Sequence, residues 1–390
     1  MSSKGINPTR ERAHRGPAID GPTVMLVLAI VLLGLVMVTS ASITIAGRDG
    51  YAFAFLERQL WLVLIGGVAA AVTFAVPTAR LEQLALPLLL LAVLLLCMVL
   101  VPGLGHVVNG SRRWLRLAGM SFQVSEAARV LVLIYVASYA VRYEQALRSG
   151  LPGLFKPLAL LAGIALLLLL EPDFGAASVL VITGFGVLFL AGARWRWILT
   201  MLLAAGGCMT LLVMFSSYRM RRMTAFMDPW ADPFNSGFQL TQSLIAIGRG
   251  GLFGVGLGAS VQKLFYLPEA HTDFLFAVLA EELGLVGVAV TLGLFLALAW
   301  RAFVIARRAN EAGLKFQSYL ASGFGLWLAV QAFINVGVNM GVLPTKGLTL
   351  PFMSYGRSSL IVTLAWLGIL LRVHHETVHG SRRLLRAERV

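Results

Sequence analysis

Glu269, His271 and Asp273 fall within five positions of one another in the stretch PEAHTDFLFAV, in a chain with only 18 acidic residues and six histidines. A carboxylate so placed can take a proton from a hydroxyl nucleophile while nearby cations stabilise an anionic leaving group. The competing reading is structural: Thr272 or Asp273 can cap the helix predicted from Phe274 onward, because a short oxygen-bearing side chain satisfies the free N–H groups of a first helical turn. Spacing alone leaves both open. Cations come in two tight groups, Arg112, Arg113 and Arg116 in GSRRWLRLAG, and Arg219, Arg221 and Arg222 in SSYRMRRM. Guanidinium forks match phosphate or pyrophosphate oxygens. Ordinary headgroup contact by interfacial arginines is the alternative, and Trp114 marks the first group as interfacial.

The elements that carry these residues are set by composition. With 58% hydrophobic and 13% charged residues and a mean hydropathy of +0.83, the chain has more apolar side chain than a water-soluble core can bury, so lipid must be its solvent. About ten apolar runs are long enough to approach ~30 Å of hydrocarbon: 23–47, 58–76, 84–101, 125–142, 157–171, 174–193, 197–215, 274–300, 316–340 and 355–373. The expected fold is an all-α polytopic membrane protein of about ten transmembrane helices, with a large extracytoplasmic loop over 216–272 between the seventh and eighth. Residues 1–22 read as a basic cytoplasmic segment, 23–373 as the transmembrane domain and 374–390 as a basic cytoplasmic tail. Lys4, Arg10, Arg12 and Arg15, with small residues from Thr39 to Ser42, locally resemble a cleavable signal. The apolar stretch continues to Ala46, so it is expected to stay as a first helix. A modest excess of Lys and Arg in alternate loops places both termini in the cytoplasm. Cys97 and Cys208 fall inside predicted spans and suggest neither a disulfide nor a metal site.

Within 216–272 the glycines at 248, 250, 251, 254, 256 and 258 are expected to give loop flexibility. As a phosphate cradle GVGLGAS is weak, since no strand precedes it and it has no P-loop Lys. Glu281 and Glu282, on an otherwise apolar helix, are expected to face protein or a polar cavity. Between the last two spans, Pro344, Pro351 and the glycines at 341, 347 and 356 interrupt any helix, and a non-helical backbone at that depth is tolerated only against protein or a watery cavity. Lys346 would then be offered to an anion, and Ser354 and Tyr355 to hydroxyl or amide groups. A loop folded over the helix ends for packing alone is the other reading.

Four stretches, NGSRRWLRLAGMSFQVSEAARV (109–130), EPDFG (171–175), LPEAHTDFLFAVLAEELG (267–284) and GVLPTKGLTLPFMSYGRSSL (341–360), together resemble the SEDS family of bacterial cell-wall polymerases. PTKGLTLPFMSYG resembles its division branch rather than its elongation branch. The chain departs from the family pattern at Val124, Arg129 and Arg357, where Pro, Lys and Gly are usual. The resemblance implies a peptidoglycan glycosyltransferase that polymerises lipid II on the outer face of the cytoplasmic membrane, at the division septum, with the Asp of the His-Thr-Asp motif, Asp273, as the catalytic residue. Arg112, Arg113, Arg116, Glu126, Arg129, Glu269, His271, Lys346, Ser354 and Tyr355 are the candidate substrate contacts. The resemblance also implies a class B penicillin-binding transpeptidase and other division proteins as partners, with no nucleic acid. A divalent cation, Mg or Mn, could assist the pyrophosphate leaving group, although no ligand spacing demands one. A lipid II flippase, using Glu126, Arg129 and Glu281 as a path, and a non-catalytic division scaffold are the rival readings.

Overall fold

The computed structural model describes residues 19–48, 51–108, 111–117, 120–215, 217–264 and 266–387. The basic leader residues 1–18 and the last three residues of the tail lie outside them. Each of the apolar runs falls in a helix: α1 (Gly21–Arg48), α2 (Ala54–Ala75), α4 (Ala85–Leu100) after the short α3 (Thr78–Gln83), α5 (Val124–Arg142), α7 (Leu151–Leu170) after the short α6 (Glu144–Ser149), α8 (Phe174–Leu190), α9 (Trp195–Met214), α12 (Leu275–Glu311), α13 (Lys315–Asn339) and α14 (Arg357–Ala387). By length and apolarity seven of them, α1, α2, α5, α7, α12, α13 and α14, suffice to cross a membrane; α4 and α8 are shorter apolar helices.

Apolar residues point outward as well as inward. Leu28, Leu32, Trp61, Leu64, Leu90, Leu94, Leu203 and Leu296 are exposed on the helix surfaces, an arrangement that is stable only where lipid replaces water. Helices α5 and α13 form the centre. They are the most enclosed of the candidate spans, and α13 packs on α12, α8 and α5. Helix α14 lies along α2, where a Cβ on Gly368 would meet the Ala70 carbonyl at 2.2 Å, so only glycine allows that approach.

Three features depart from the sequence expectation. β1 (Gly105–Val108), β2 (Ser111–Leu117) and β3 (Met120–Gln123) form a three-stranded antiparallel sheet. Strand alternation in β2 sends Arg112, Trp114 and Arg116 to one face and Arg113 with the buried Leu115 to the other. The segment 216–272 holds two helices, α10 (Ser217–Met227) and α11 (Phe238–Gly250), so it is not a continuous loop.

The third departure is at Gly284, whose φ of 65° and ψ of −164° break α12. The backbone groups that the break would orphan pair with the glycine segment. Val255 and Gly256 N–H donate to the carbonyls of Glu281 and Glu282 (2.9 and 3.1 Å), and Leu285 and Val286 N–H donate to those of Gly251 and Leu252 (3.0 and 3.1 Å). A Cβ on Gly254 would lie 2.1 Å from the Glu282 carbonyl oxygen. Gly250 and Gly254 therefore serve close packing, and Gly251, Gly256 and Gly258 supply positive φ, in place of the flexibility expected of them.

Glu281 and Glu282 complete the anchor, facing protein as expected. Glu282 accepts from Ser40 Oγ (2.7 Å) on α1 and from Lys263 Nζ (2.8 Å), and Glu281 accepts from Ser260 Oγ (2.5 Å) and Val261 N–H (3.2 Å). Both carboxylates and Lys263 are buried.

Candidate functional site

Before α12 the chain makes a tight turn. Thr272 and Phe274 N–H both donate to the Glu269 carbonyl (3.1 and 3.2 Å), Glu269 takes a left-handed φ of 55°, and the Thr272 hydroxyl closes on the Glu269 carboxylate (2.7 Å). The helix starts at Leu275 with Phe274 at its cap and no capping side chain. Asp273 therefore does not cap it. Its carboxylate is partly exposed, and among the described residues only burial and charges act on it, with no hydrogen bond. Its main-chain carbonyl, in contrast, accepts from Asn335 Nδ2 (3.0 Å) and Asn339 Nδ2 (3.1 Å).

The 341–356 segment closes over this point. Asn335 Nδ2 also donates to the Leu348 carbonyl (2.5 Å) and Gln331 Nε2 to that of Thr349 (3.0 Å). A Cβ on Gly347 would sit 2.9 Å from Asp273 Oδ2, so the loop backbone runs directly against the carboxylate. Lys346 lies 3.4 Å from Ser178 Oγ, near the start of α8. Burial pushes its amine below the usual lysine value, opposed by Asp173.

The EPDFG turn forms the facing wall. Asp173 caps α8 through Ala176 N–H (3.1 Å) and accepts from Ser125 Oγ (3.0 Å). Arg113, on the inward face of β2, donates to the carbonyls of Glu171 (3.2 Å) and Pro172 and lies 3.8 Å from Asp173. Glu171 is fully buried, with neither carboxyl oxygen hydrogen-bonded among the described residues. Burial first, then Asp173, push it up to about 8 against Arg113, so at neutral pH it is protonated. The same logic holds for Asp273. Burial, with Glu269 and Asp173 adding and Arg113 and Arg222 opposing, pushes it up to about 7. A carboxylate near 7 is matched to proton abstraction at neutral pH.

His271 and Tyr355 form a second group with Phe55. Ring centroids of Phe55 lie 4.9 Å from His271 and 5.2 Å from Tyr355, and Tyr355 N–H donates to the His271 carbonyl (3.0 Å). Among the described residues, His271 Nδ1 and the Tyr355 hydroxyl are buried without a partner. Burial holds the imidazole below its ordinary value, opposed by Glu269.

The remaining residues singled out in the sequence are placed as follows. Glu126 and Arg129 are buried and paired with each other, and Arg129 Nη1 donates to Gln331 Oε1 (3.0 Å). They reach the 341–356 segment only through Gln331. Ser354 spends its hydroxyl on Leu350 N–H (3.0 Å), Arg112 donates to the Leu100 carbonyl (3.1 Å) and Arg116 meets His106 (3.2 Å). Arg221 and Arg222 are exposed on α10, and the Arg219 side chain lies outside the described residues. Among the described residues no three of His, Cys, Asp and Glu come together as a metal cage.

Sequence reasoning missed Gln331, Asn335 and Asn339. Their signal was available: three amides at i, i+4 and i+8 in an otherwise apolar span mark one polar helix face.

A family model described as Cell cycle protein, FTSW_RODA_SPOVE, matches residues 22–379. A protein of Thioalkalivibrio sulfidiphilus named "Probable peptidoglycan glycosyltransferase FtsW" is 54% identical over 388 residues, 98% of this chain and 97% of that protein. One of the same name from Coxiella burnetii is 51% identical over 92% of this chain and 96% of its own. Among solved structures, a chain from work on polymerization and crosslinking by a peptidoglycan synthase complex is 35% identical, with a TM-score of 0.76 over 93% of this chain and 99% of that one. The rod shape determining protein RodA of Thermus thermophilus is 34% identical, with a TM-score of 0.67 over 92% of this chain and 97% of its own.

Proposed function

Since the chain belongs to the FtsW/RodA/SpoVE family of cell cycle proteins, we propose that Asp273 is the general base of a peptidoglycan glycosyltransferase of the FtsW kind, which joins lipid II units into glycan strands. The observation that carries this reading is a carboxylate beside a cationic, partly enclosed wall, held by its main chain and with its oxygens uncommitted. Asp273 takes the proton of the acceptor GlcNAc 4-hydroxyl. The resulting oxygen attacks the donor MurNAc anomeric carbon, and the bond to undecaprenyl pyrophosphate breaks with its electron pair leaving on the pyrophosphate. The α-linked donor thereby gives a β-1,4 bond in a single displacement.

Lys346 and Arg113 lie on the side where that negative charge develops, the amine of one and the guanidinium of the other lowering its energy. Arg112 and Arg116 serve the approach of the donor, and His271 and Tyr355 offer two buried, uncommitted polar atoms to a sugar. A Mg or Mn ion would enter with the pyrophosphate, and its part is read by chelation during the assay. By its likeness to the synthase-complex chain, a class B transpeptidase is the partner that cross-links the product. The site faces the outer side of the cytoplasmic membrane, with both termini inside and the septum as the place of action.

Purified protein given labelled lipid II is expected to make glycan strands. A flippase or a scaffold would make none, and an inactive preparation that still binds its transpeptidase would overturn the enzyme reading. The pH profile tests the base itself. Only ionised Asp273 accepts a proton, and the group sits at about 7, so turnover is expected to fall roughly tenfold per unit as pH drops below that value. A profile flat down to pH 5 would exclude Asp273 as the titrating base.

A further inference from the structure

The first turn of α12 is unusual in a way that bears on the base. Were Asp273 the cap of α12, its carbonyl would accept the first helical bond, from Ala277 N–H four residues on. Here that N–H turns instead to Asn339 Oδ1 (3.2 Å) and the Phe274 carbonyl (3.0 Å), while Asn339 Nδ2 donates to the Asp273 carbonyl (3.1 Å). One side-chain amide from α13 is thus spliced into the turn and holds the two backbone groups apart. One turn earlier on α13, Asn335 reaches the same carbonyl (3.0 Å) and the Leu348 carbonyl (2.5 Å), tying the Asp273 turn to the loop that carries Lys346. Asn339 Nδ2 also touches the Asn335 carbonyl (2.9 Å), and Ser243 Oγ donates to the Asn339 carbonyl (2.8 Å). Both asparagines are buried.

We propose that Asn335 and Asn339 are positioning residues for the glycosyl transfer: they hold Asp273 by its main-chain carbonyl, keep its carboxylate from becoming a helix cap, and fix its register against Lys346. This rests on Asp273 being the base. The physical reason is a conflict of roles. An aspartate at a helix entry ordinarily turns its carboxylate onto the first free N–H groups, which lowers its pKa and spends its lone pairs. A base needs those lone pairs free. Filling the carbonyl with two amide donors, and diverting Ala277 N–H to a third polar atom, removes the geometry that capping requires. The groups that then set the charge of the carboxylate are Glu269 on its own turn, Asp173 and Arg113 across from it, and Arg222 from α10.

Asn339→Leu, nearly isosteric and apolar, frees Ala277 N–H and the Asp273 carbonyl to pair, so that α12 starts one residue earlier with Asp273 at its cap. The expected result is a protein that inserts and melts close to wild type, with KM for lipid II changed by less than about threefold. Its kcat is expected to fall about 10- to 100-fold, and the acid limb of its pH profile to move below the wild-type position as Asp273 becomes a cap. Asn335→Asp, which keeps shape but loses the amide donors, is expected to lower kcat likewise, and covers the case in which the leucine variant fails to insert. Wild-type kcat with an unmoved acid limb in either inserted variant overturns the proposal. Placing Asn339→Leu on an Asp273→Asn background separates the two readings. If Asp273 is the base the double variant loses nothing further, whereas an active Asp273→Asn protein sinks the base assignment itself.

Discussion

Asp273→Asn is expected to reduce strand synthesis about 10²- to 10⁴-fold, the range spanned by removal of a general base, while the protein inserts and folds as before. The structural reason for expecting an intact fold is specific. The Asp273 carboxylate accepts no hydrogen bond among the described residues, and what holds the residue is its carbonyl, which asparagine keeps. The sign of the stability effect follows from the raised pKa. A carboxyl at about 7 in the fold and 3.8 when free favours the fold in its protonated form, and that advantage is lost as pH rises through 7. An uncharged amide has nothing to lose there, so above pH 7 the variant is expected to melt at the wild-type temperature or higher. Wild-type-like glycan strands from Asp273→Asn would refute the mechanism. A lost fold would refute the account of how the residue is held.

The second large effect is expected far from the chemistry. Lys263→Met removes the ammonium that faces Glu282 at 2.8 Å and leaves a buried carboxylate with only neutral donors, Ser40 Oγ and Ser260 N–H, among the described residues. Breaking one partner of a buried pair costs about 3–5 kcal/mol, whereas replacing both by uncharged groups is often neutral. Lys263→Met is therefore expected to lower the melting temperature steeply, and Lys263→Met with Glu282→Gln to recover most of the loss. Measured in detergent micelles by thermal unfolding, equal melting of the two variants would mean that the pair does not hold the glycine segment to α1 and α12.

The helices were readable because lipid imposes one rule on the whole chain: apolar runs separated by charged or proline-bearing breaks. That rule says nothing about where a broken span goes. The acidic pair Glu281–Glu282 announced a polar contact, yet its partner Lys263 lies across a turn of glycines whose pairing with the Gly284 break depends on contacts that no local pattern encodes. Asp273 was legible as a candidate for chemistry, and whether it caps α12 was not, because its carbonyl is held by Asn335 and Asn339 more than sixty residues later. Arg113 illustrates the same limit. Its type suggested an anion, but its place on the inward face of β2 directs much of its guanidinium to the carbonyls of the EPDFG turn. The sheet that points it inward was not anticipated, since residues 105–123 carry no clear alternation of polar and apolar side chains.

The contact between Ser40 and Glu282 spans 242 positions of sequence. At a synthesis rate of roughly 5–20 residues per second, the ribosome needs on the order of 10 to 50 seconds after making Ser40 before it makes Glu282. During that interval α1 lies in the bilayer with its carboxylate partner unmade, held by its own apolar length and by packing on α2. The carboxylate and ammonium that later seal the glycine segment enter together, because Lys263 leaves the ribosome just ahead of Glu282. Biogenesis therefore includes a delayed docking step, in which α1 is locked by a segment made more than 200 residues after it. Chains truncated between Lys263 and Glu282 should leave α1 extractable and protease-sensitive, and those extended past Gly284 should not.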